Sequence, residues 1–254
     1  MLDSHPGMAI PGESYFPLWL SRVRHRYEHG PTFDTAAFAD DLLGDAWFCR
    51  WGLPEEAVRP GVVAAAPADF AAAVRAVYRL YARHHGKERY GDKTPTFVLH
   101  VRPLSELFAD ATFVQVVRDG RDVALSLLEA EWGPRTIAEA ALHWELHVRS
   151  GAHAGARLGP HRYSEIRYED VVEDPVAAAA DLCQRVGLEF DDAMLRYFEG
   201  VTPLLAGLPD AEEHQNLRRP PTTGIRDWRA QMAEDDVALF EALAGEALTQ
   251  FGYE

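Results

Sequence analysis

Residues 112–126 constrain this chain more than any other stretch. Thr112-Phe113-Val114-Gln115-Val116-Val117 is a short run of β-branched and apolar residues, the pattern of a strand buried in a parallel sheet. Arg118 follows, Asp119-Gly120 turns the chain, and a helix is expected from about Arg121, carrying Ser126. A second strand is expected at Tyr163 to Tyr168, beyond a long helix from about Ile137 to Leu158 that carries Trp144 and Leu146. Strands alternating with helices imply parallel pairing and crossover helices, an α/β class in which ligands gather at the carboxyl ends of the strands.

The rest reads mainly as helix. After an irregular opening to Gly12, the spacing predicts a helix over Tyr15 to Tyr27 and another over Asp34 to Leu43. Ala66 to Arg83 carries Phe70, Val74, Val77, Tyr78 and Tyr81 at three- and four-residue intervals, with Asp69 placed to favour the start. Thr96 to Phe108 resumes that period, with Pro103 a candidate kink. Beyond Tyr168 the chain reads as helical except for a polar, proline-rich stretch from Leu208 to Trp228. A length of 254 residues without a clear linker or repeat fits one domain, 1–254.

Charge narrows the partners. With 40 acidic and 25 basic side chains, the formal charge of -15 disfavours nucleic acid and anionic membranes. An anionic ligand then needs a local basic pocket. Only Cys49 and Cys183 are present, as expected of a reducing compartment, and neither a signal peptide nor a run of about 18 apolar residues occurs. The expected location is the cytoplasm. The eleven histidines show no metal-ligand spacing with Cys, Asp or Glu, so no metal is expected.

Two strings carry chemistry. In Val116 to Ser126, a strand end presents Arg118, able to give a phosphate two charge-assisted hydrogen bonds, and the next helix adds the Ser126 hydroxyl. Arg118 can instead pair structurally with Asp119 or Asp122. In Tyr90-Gly91-Asp92-Lys93-Thr94-Pro95, Lys93 stands between a glycine and a proline, placed to reach a cleft as a point charge or to remain a solvated loop lysine.

Together these strings resemble the sulfotransferase family, particularly its bacterial and carbohydrate-type branch. Members carry Gly-Asp-Lys-Thr-Pro and then a strand ending in Arg-Asp-Gly-Arg-Asp, with a serine eight residues after the first arginine. Arg118 and Ser126 keep that spacing. Arg167-Tyr168-Glu169-Asp170, leading to Asp174-Pro175, is similar to a later family motif whose tyrosine lies near the adenine. The resemblance implies a three-layer, P-loop-NTPase-like fold with a parallel sheet flanked by helices. It also implies the donor 3′-phosphoadenosine 5′-phosphosulfate (PAPS), with Arg118 and Ser126 on its 3′-phosphate, and no metal.

By the same resemblance Glu13, in its Pro-Gly-Glu setting, is the expected general base. The histidine that cytosolic members place two residues after the lysine is replaced here by Pro95. A helix N-terminal carboxylate is the alternative for Glu13. Lys93 is the expected cation on the leaving phosphate, with Asp92 orienting its loop. Asn216 to Trp228 loosely resembles a basic-glycine loop before a tryptophan, which nominates Arg226 and Arg219 as 3′-phosphate contacts or else as exposed arginines. Trp47, Phe48 and Trp51 are expected either to stack on a carbohydrate or other small-molecule acceptor or to be core.

The family's Pro-Arg-Ser-Gly-Thr-Thr-type loop and its preceding strand do not occur in the sequence, so Met1 is expected to be an internal methionine or the edge of a truncation. That leaves a catalytically silent homologue, binding nucleotide or a partner, as a rival. A P-loop kinase shares the fold but lacks Gly-x-x-x-x-Gly-Lys-Ser/Thr here, and a dehydrogenase lacks Gly-x-Gly-x-x-Gly.

Overall fold

The computed structural model describes residues 1–199, 219–220 and 226–253. The chain forms two compact units, residues 1–95 with 188–220, and residues 96–187 with 221–254. Both contain parallel strands flanked by helices, the α/β class that the sequence implies.

In the first unit, strand β1 (Met8–Ala9) lies within the opening that reads as irregular. Two residues are too few to show a period. The 13–15 segment leads to helix α1 (Phe16–Trp19) and a 3-10 helix, Leu20–Arg26. One helix was expected over Tyr15 to Tyr27, but Val23 takes φ -114°, ψ 16° and breaks it. A hairpin of β2 (Glu28–His29) and β3 (Thr32–Phe33) follows, then α2 (Thr35–Leu43), capped by Asp34, whose side chain accepts from the Ala36 and Ala37 amides.

Helix α3 (Glu55–Ala65) is not legible from the sequence, because Pro60 and Gly61 interrupt it. It ends on Ala66 at φ 43°, where Pro67 disfavours continued helix. Helix α4 (Phe70–His84) therefore starts four residues later than expected, with Asp69 capping the Ala72 amide. Its buried face, Phe70, Val74, Val77, Tyr78 and Tyr81, packs beside Phe16, Phe48 and Trp51. Strand β4 (Arg89–Tyr90) pairs in parallel with β1.

In the second unit a 3-10 turn, Pro95–His100, precedes α5 (Val101–Leu107). The bend falls at His100, not Pro103. Proline in a first helical turn sacrifices no bonded amide. Strand β5 (Phe113–Val117) pairs in parallel with β6 (Tyr163–Arg167), register Val117 to Arg167. Helices α6 (Gly120–Glu129) and α7 (Ile137–Leu158) lie between them in sequence. Gly120 lets the turn close: a Cβ there would come within 2.5 Å of Trp144 and 2.7 Å of Phe240. Trp144 is core, whereas Leu146 is exposed. Beyond β6 come α8 (Tyr168–Glu173), α9 (Pro175–Val186), α10 (Trp228–Gln231) and α11 (Glu234–Gln250). Residues 200–218 and 221–225, which include most of the proline-rich stretch from Leu208 to Trp228, lie outside the described residues. Among the described residues no helix is long and apolar enough to cross a membrane.

Candidate active site

Glu13 and Lys93, 80 residues apart in sequence, meet in the first unit. Lys93 Nζ donates to Glu13 Oε1 at 2.9 Å. The Glu13 side chain is 29% exposed and that of Lys93 68%. Tyr15 Oη reaches Glu13 Oε2 at 3.4 Å, and the Tyr15 ring contacts Trp47 and the half-exposed Trp19 at centroid distances of 4.9 and 5.4 Å. Trp47 thus stands near the glutamate. Phe48 and Trp51 are buried core.

A hydrogen-bonded set flanks this pair. The Ser14 amide donates to Thr94 Oγ1 at 2.8 Å, and that hydroxyl donates back to the Ser14 carbonyl at 3.1 Å. Asp92 Oδ2 accepts from Ser14 Oγ and from Tyr78 Oη, both at 2.5 Å. Burial raises the proton affinity of Asp92 above that of an ordinary aspartate, hydrogen bonds from Ser14, Tyr78 and Thr94 oppose this, and Glu13 adds to it. Burial, followed by the nearby Asp92, holds the Tyr78 phenol well above its usual range. Asp92 stands out in the sequence as part of its loop, but the roles of Ser14, Tyr78 and Thr94 do not, because their partners lie 14 to 80 residues away.

The second unit assembles Arg118, Tyr168 and the first turns of α6. Trp144 Nε1 donates to the Arg118 carbonyl at 3.0 Å, fixing the backbone where β5 ends. The Arg118 guanidinium lies 4.9 Å from the Tyr168 ring centre and donates to Asp122 Oδ2 at 3.1 Å. Ser126 is exposed, one helical turn beyond Asp122 and on the same face of α6. Arg226 pairs with Glu129, the next residue along that face. Arg219 belongs to the first unit, where its carbonyl accepts from Tyr197 Oη at 2.8 Å. A cation beside a flat ring and an exposed hydroxyl is a donor set that fits a nucleotide phosphate and its base.

The other arginine of the motif is structural. Arg121 is 1% exposed and binds both oxygens of Asp119, at 2.9 and 3.0 Å, and Glu241 at 2.7 Å. Trp228 lies over it at 3.7 Å, donating its indole N–H to Asp119 and its amide to Asp122. In the sequence Trp228 marks only the end of a loop. Glu169 accepts from the Asp119 amide at 3.0 Å and from Tyr253 Oη at 2.8 Å, tying the strand ends together. Asp119, Glu169 and Tyr253, together with Arg167, Asp227 and Arg229, line a cavity of about 300 Å³.

Residues 1–192 match the sulfotransferase family. The chain belongs to that family. Among solved structures, the sulfotransferase domain of the Synechococcus PCC 7002 olefin synthase is 21% identical, with a TM-score of 0.63 over 96% of this chain and 87% of that one. The sulfotransferase domain from the curacin biosynthetic pathway is 15% identical, with a TM-score of 0.59 over 100% and 91%. At such identities the likeness is one of fold, and it places this chain among sulfotransferase domains with a P-loop-like fold. No curated protein sequence matches the chain.

Proposed function

We propose that residues 1–254 act as one sulfotransferase domain that moves a sulfuryl group from PAPS to a hydroxyl, or an amine, of a carbohydrate or other small-molecule acceptor. The observation that carries this reading is the Glu13–Lys93 pair, a carboxylate and a cation brought to 2.9 Å within a chain of this family. Sulfuryl transfer needs one group to take the acceptor's proton and another to steady charge on the departing phosphate.

In this reading the acceptor oxygen attacks sulfur in line as the bond from sulfur to the 5′-phosphate oxygen breaks. Glu13 takes the acceptor's proton, and Lys93 stabilises the leaving phosphate oxygen. Arg118 and Ser126 hold the 3′-phosphate and Tyr168 flanks the adenine, with Arg226 and Arg219 as further phosphate contacts. No metal takes part. The neutralising groups for the phosphates are side chains, so an acidic protein can bind an anionic donor locally.

Labelled PAPS with a panel of sugar, alcohol and amine acceptors tests the reaction, with magnesium varied because a kinase would need it. Glu13→Gln and Lys93→Ala should each lower turnover by about two or more orders of magnitude while nucleotide affinity stays within a few-fold. Transfer that is absent from the unmodified chain, or unchanged in both variants, overturns the assignment.

A further inference from the structure

Ser14 Oγ, Tyr78 Oη and Asp92 Oδ2 form a closed triangle, with sides of 2.8 Å from Ser14 to Tyr78 and 2.5 Å from each hydroxyl to Asp92. All three sides are hydrogen-bond lengths between oxygens, and each side needs one proton. Two hydroxyls supply two protons. With an ionised Asp92, one side would be a short contact between oxygens with no proton in it. A neutral Asp92 supplies the third: its O–H then donates to one hydroxyl while Oδ2 accepts from the other, so one of the two contacts to Asp92 is reversed and all three bonds run the same way around the ring.

A second observation agrees. Asp92 Oδ1 is buried with no hydrogen bond of good geometry, and its nearest donor, the Thr94 hydroxyl, is shared with the Ser14 carbonyl. A buried charged oxygen without a donor is far costlier than the carbonyl oxygen of a neutral acid. The charged and titratable groups around the triangle are Glu13 beside Ser14, Lys93 beside Asp92, and Tyr90, stacked on Tyr78 with ring centres 5.5 Å apart. Lys93 directs its ammonium to Glu13, and burial of Asp92 with Glu13 nearby favours its neutral form.

We propose that Asp92 is a neutral carboxylic acid closing a three-proton ring with Ser14 and Tyr78, and that this ring is the positioning device for the adjoining Glu13 and Lys93. The ring joins the segment before α1, the middle of α4 and the loop after β4. Each reactive residue stands one position from a ring member, so displacing Ser14 or Asp92 displaces its neighbour. Losing about 1 Å of such alignment can cost about 100-fold in rate. The catalytic meaning of the ring rests on the function proposed above, but its protonation and its hold on the ion pair do not.

The test has an arm that needs no activity. Difference infrared spectra of the unmodified chain and Asp92→Asn at neutral pH should show the carbonyl stretch of one neutral carboxylic acid, lost in the variant. Absence of that band overturns the proposal. Tyr78→Phe removes one hydroxyl and leaves the ring packing in place. Acylation of Lys93, read by peptide mass spectrometry, should then rise about two- to fivefold, the size that loosening an exposed ion pair allows. Unchanged Lys93 reactivity sinks the positioning role. If the unmodified chain transfers sulfuryl groups, Tyr78→Phe should also lower kcat by about tenfold or more with the donor KM unchanged, and an unchanged kcat overturns the proposal. If the unmodified chain transfers none while the infrared and labelling results hold, the proposed function fails and the ring stands.

Discussion

Arg118 Nη2 donates to Asp122 Oδ2 at 3.1 Å, so the arginine that the proposed function gives to a phosphate is held from one side by a carboxylate one turn into α6. An arginine carries five N–H groups, and this bond uses one. The Tyr168 ring supports the guanidinium and limits its swing. Asp122 therefore serves as a brace.

Arg118→Ala should weaken binding of adenosine 3′,5′-bisphosphate by about 30- to 150-fold, corresponding to about 2–3 kcal/mol for a lost charge-assisted pair. Ser126→Ala removes one neutral donor at an exposed position and should cost about three- to tenfold. Calorimetric titration of both variants checks the order. A larger loss for Ser126→Ala than for Arg118→Ala would contradict the assigned roles.

Trp228 anchors the segment that carries Arg226. Its indole N–H bonds Asp119 at 3.1 Å, its amide bonds Asp122 at 3.0 Å, and the guanidiniums of Arg121 and Arg229 lie over its ring. Trp228→Phe keeps a ring for those cations but removes a hydrogen bond to a carboxylate. Urea unfolding should show a loss of about 1–2 kcal/mol. Nucleotide affinity should fall as well, because Arg226 precedes the anchor by two residues. A variant as stable as the parent would show that the indole bond contributes nothing.

His143 and His147 stack on α7 with ring centres 4.0 Å apart. His143 is exposed, but partial desolvation, and then the neighbouring imidazole, lowers its affinity for a proton below its ordinary value of 6.5. The folded chain then binds fewer protons at this position than the unfolded one. Stability from this residue is present above pH 6.5 and is lost as pH falls through the depressed value. Urea midpoints of the parent should drop on acidification, and His143→Gln should shrink that drop. Identical pH dependences in the two proteins would rule out this source.

The parts of the fold legible in the sequence are those with enough residues to show a period. Phe113–Val117 and Tyr163–Arg167 form the longest strands among the described residues, and α4, α6 and α7 were recognisable. Met8–Ala9 and Arg89–Tyr90 were not, since a two-residue strand is defined by its partner and not by its own composition. Helix α3 hid behind Pro60 and Gly61. Among the candidate site residues of the two units, Glu13, Lys93 and Arg118 could be nominated from the sequence because local strings frame them. Tyr78 was visible only as a core aromatic at helical spacing, and its bond to Asp92 depends on α4 packing against a loop 14 residues on. Arg121 and Arg118 look equivalent in sequence. Burial separates them: one is enclosed by Asp119, Glu241 and Trp228, and the other is left at the rim.

Asp92 offers a thermodynamic check that needs no ligand. Its ordinary value is 3.8, and burial raises it in the folded chain. Between those two values the folded protein binds a proton that the unfolded chain has released, so stability falls as pH rises. The contribution is complete below pH 3.8 and disappears once pH passes the raised value. Asparagine cannot titrate, so Asp92→Asn lacks this dependence while keeping an oxygen able to accept from Ser14 and Tyr78. The stability difference, parent minus variant, should therefore decline steadily as urea unfolding is repeated from about pH 4 towards neutrality. A difference that climbs with pH would mean that Asp92 is stabilised as a carboxylate by its two hydroxyl donors, and that their hydrogen bonds outweigh burial.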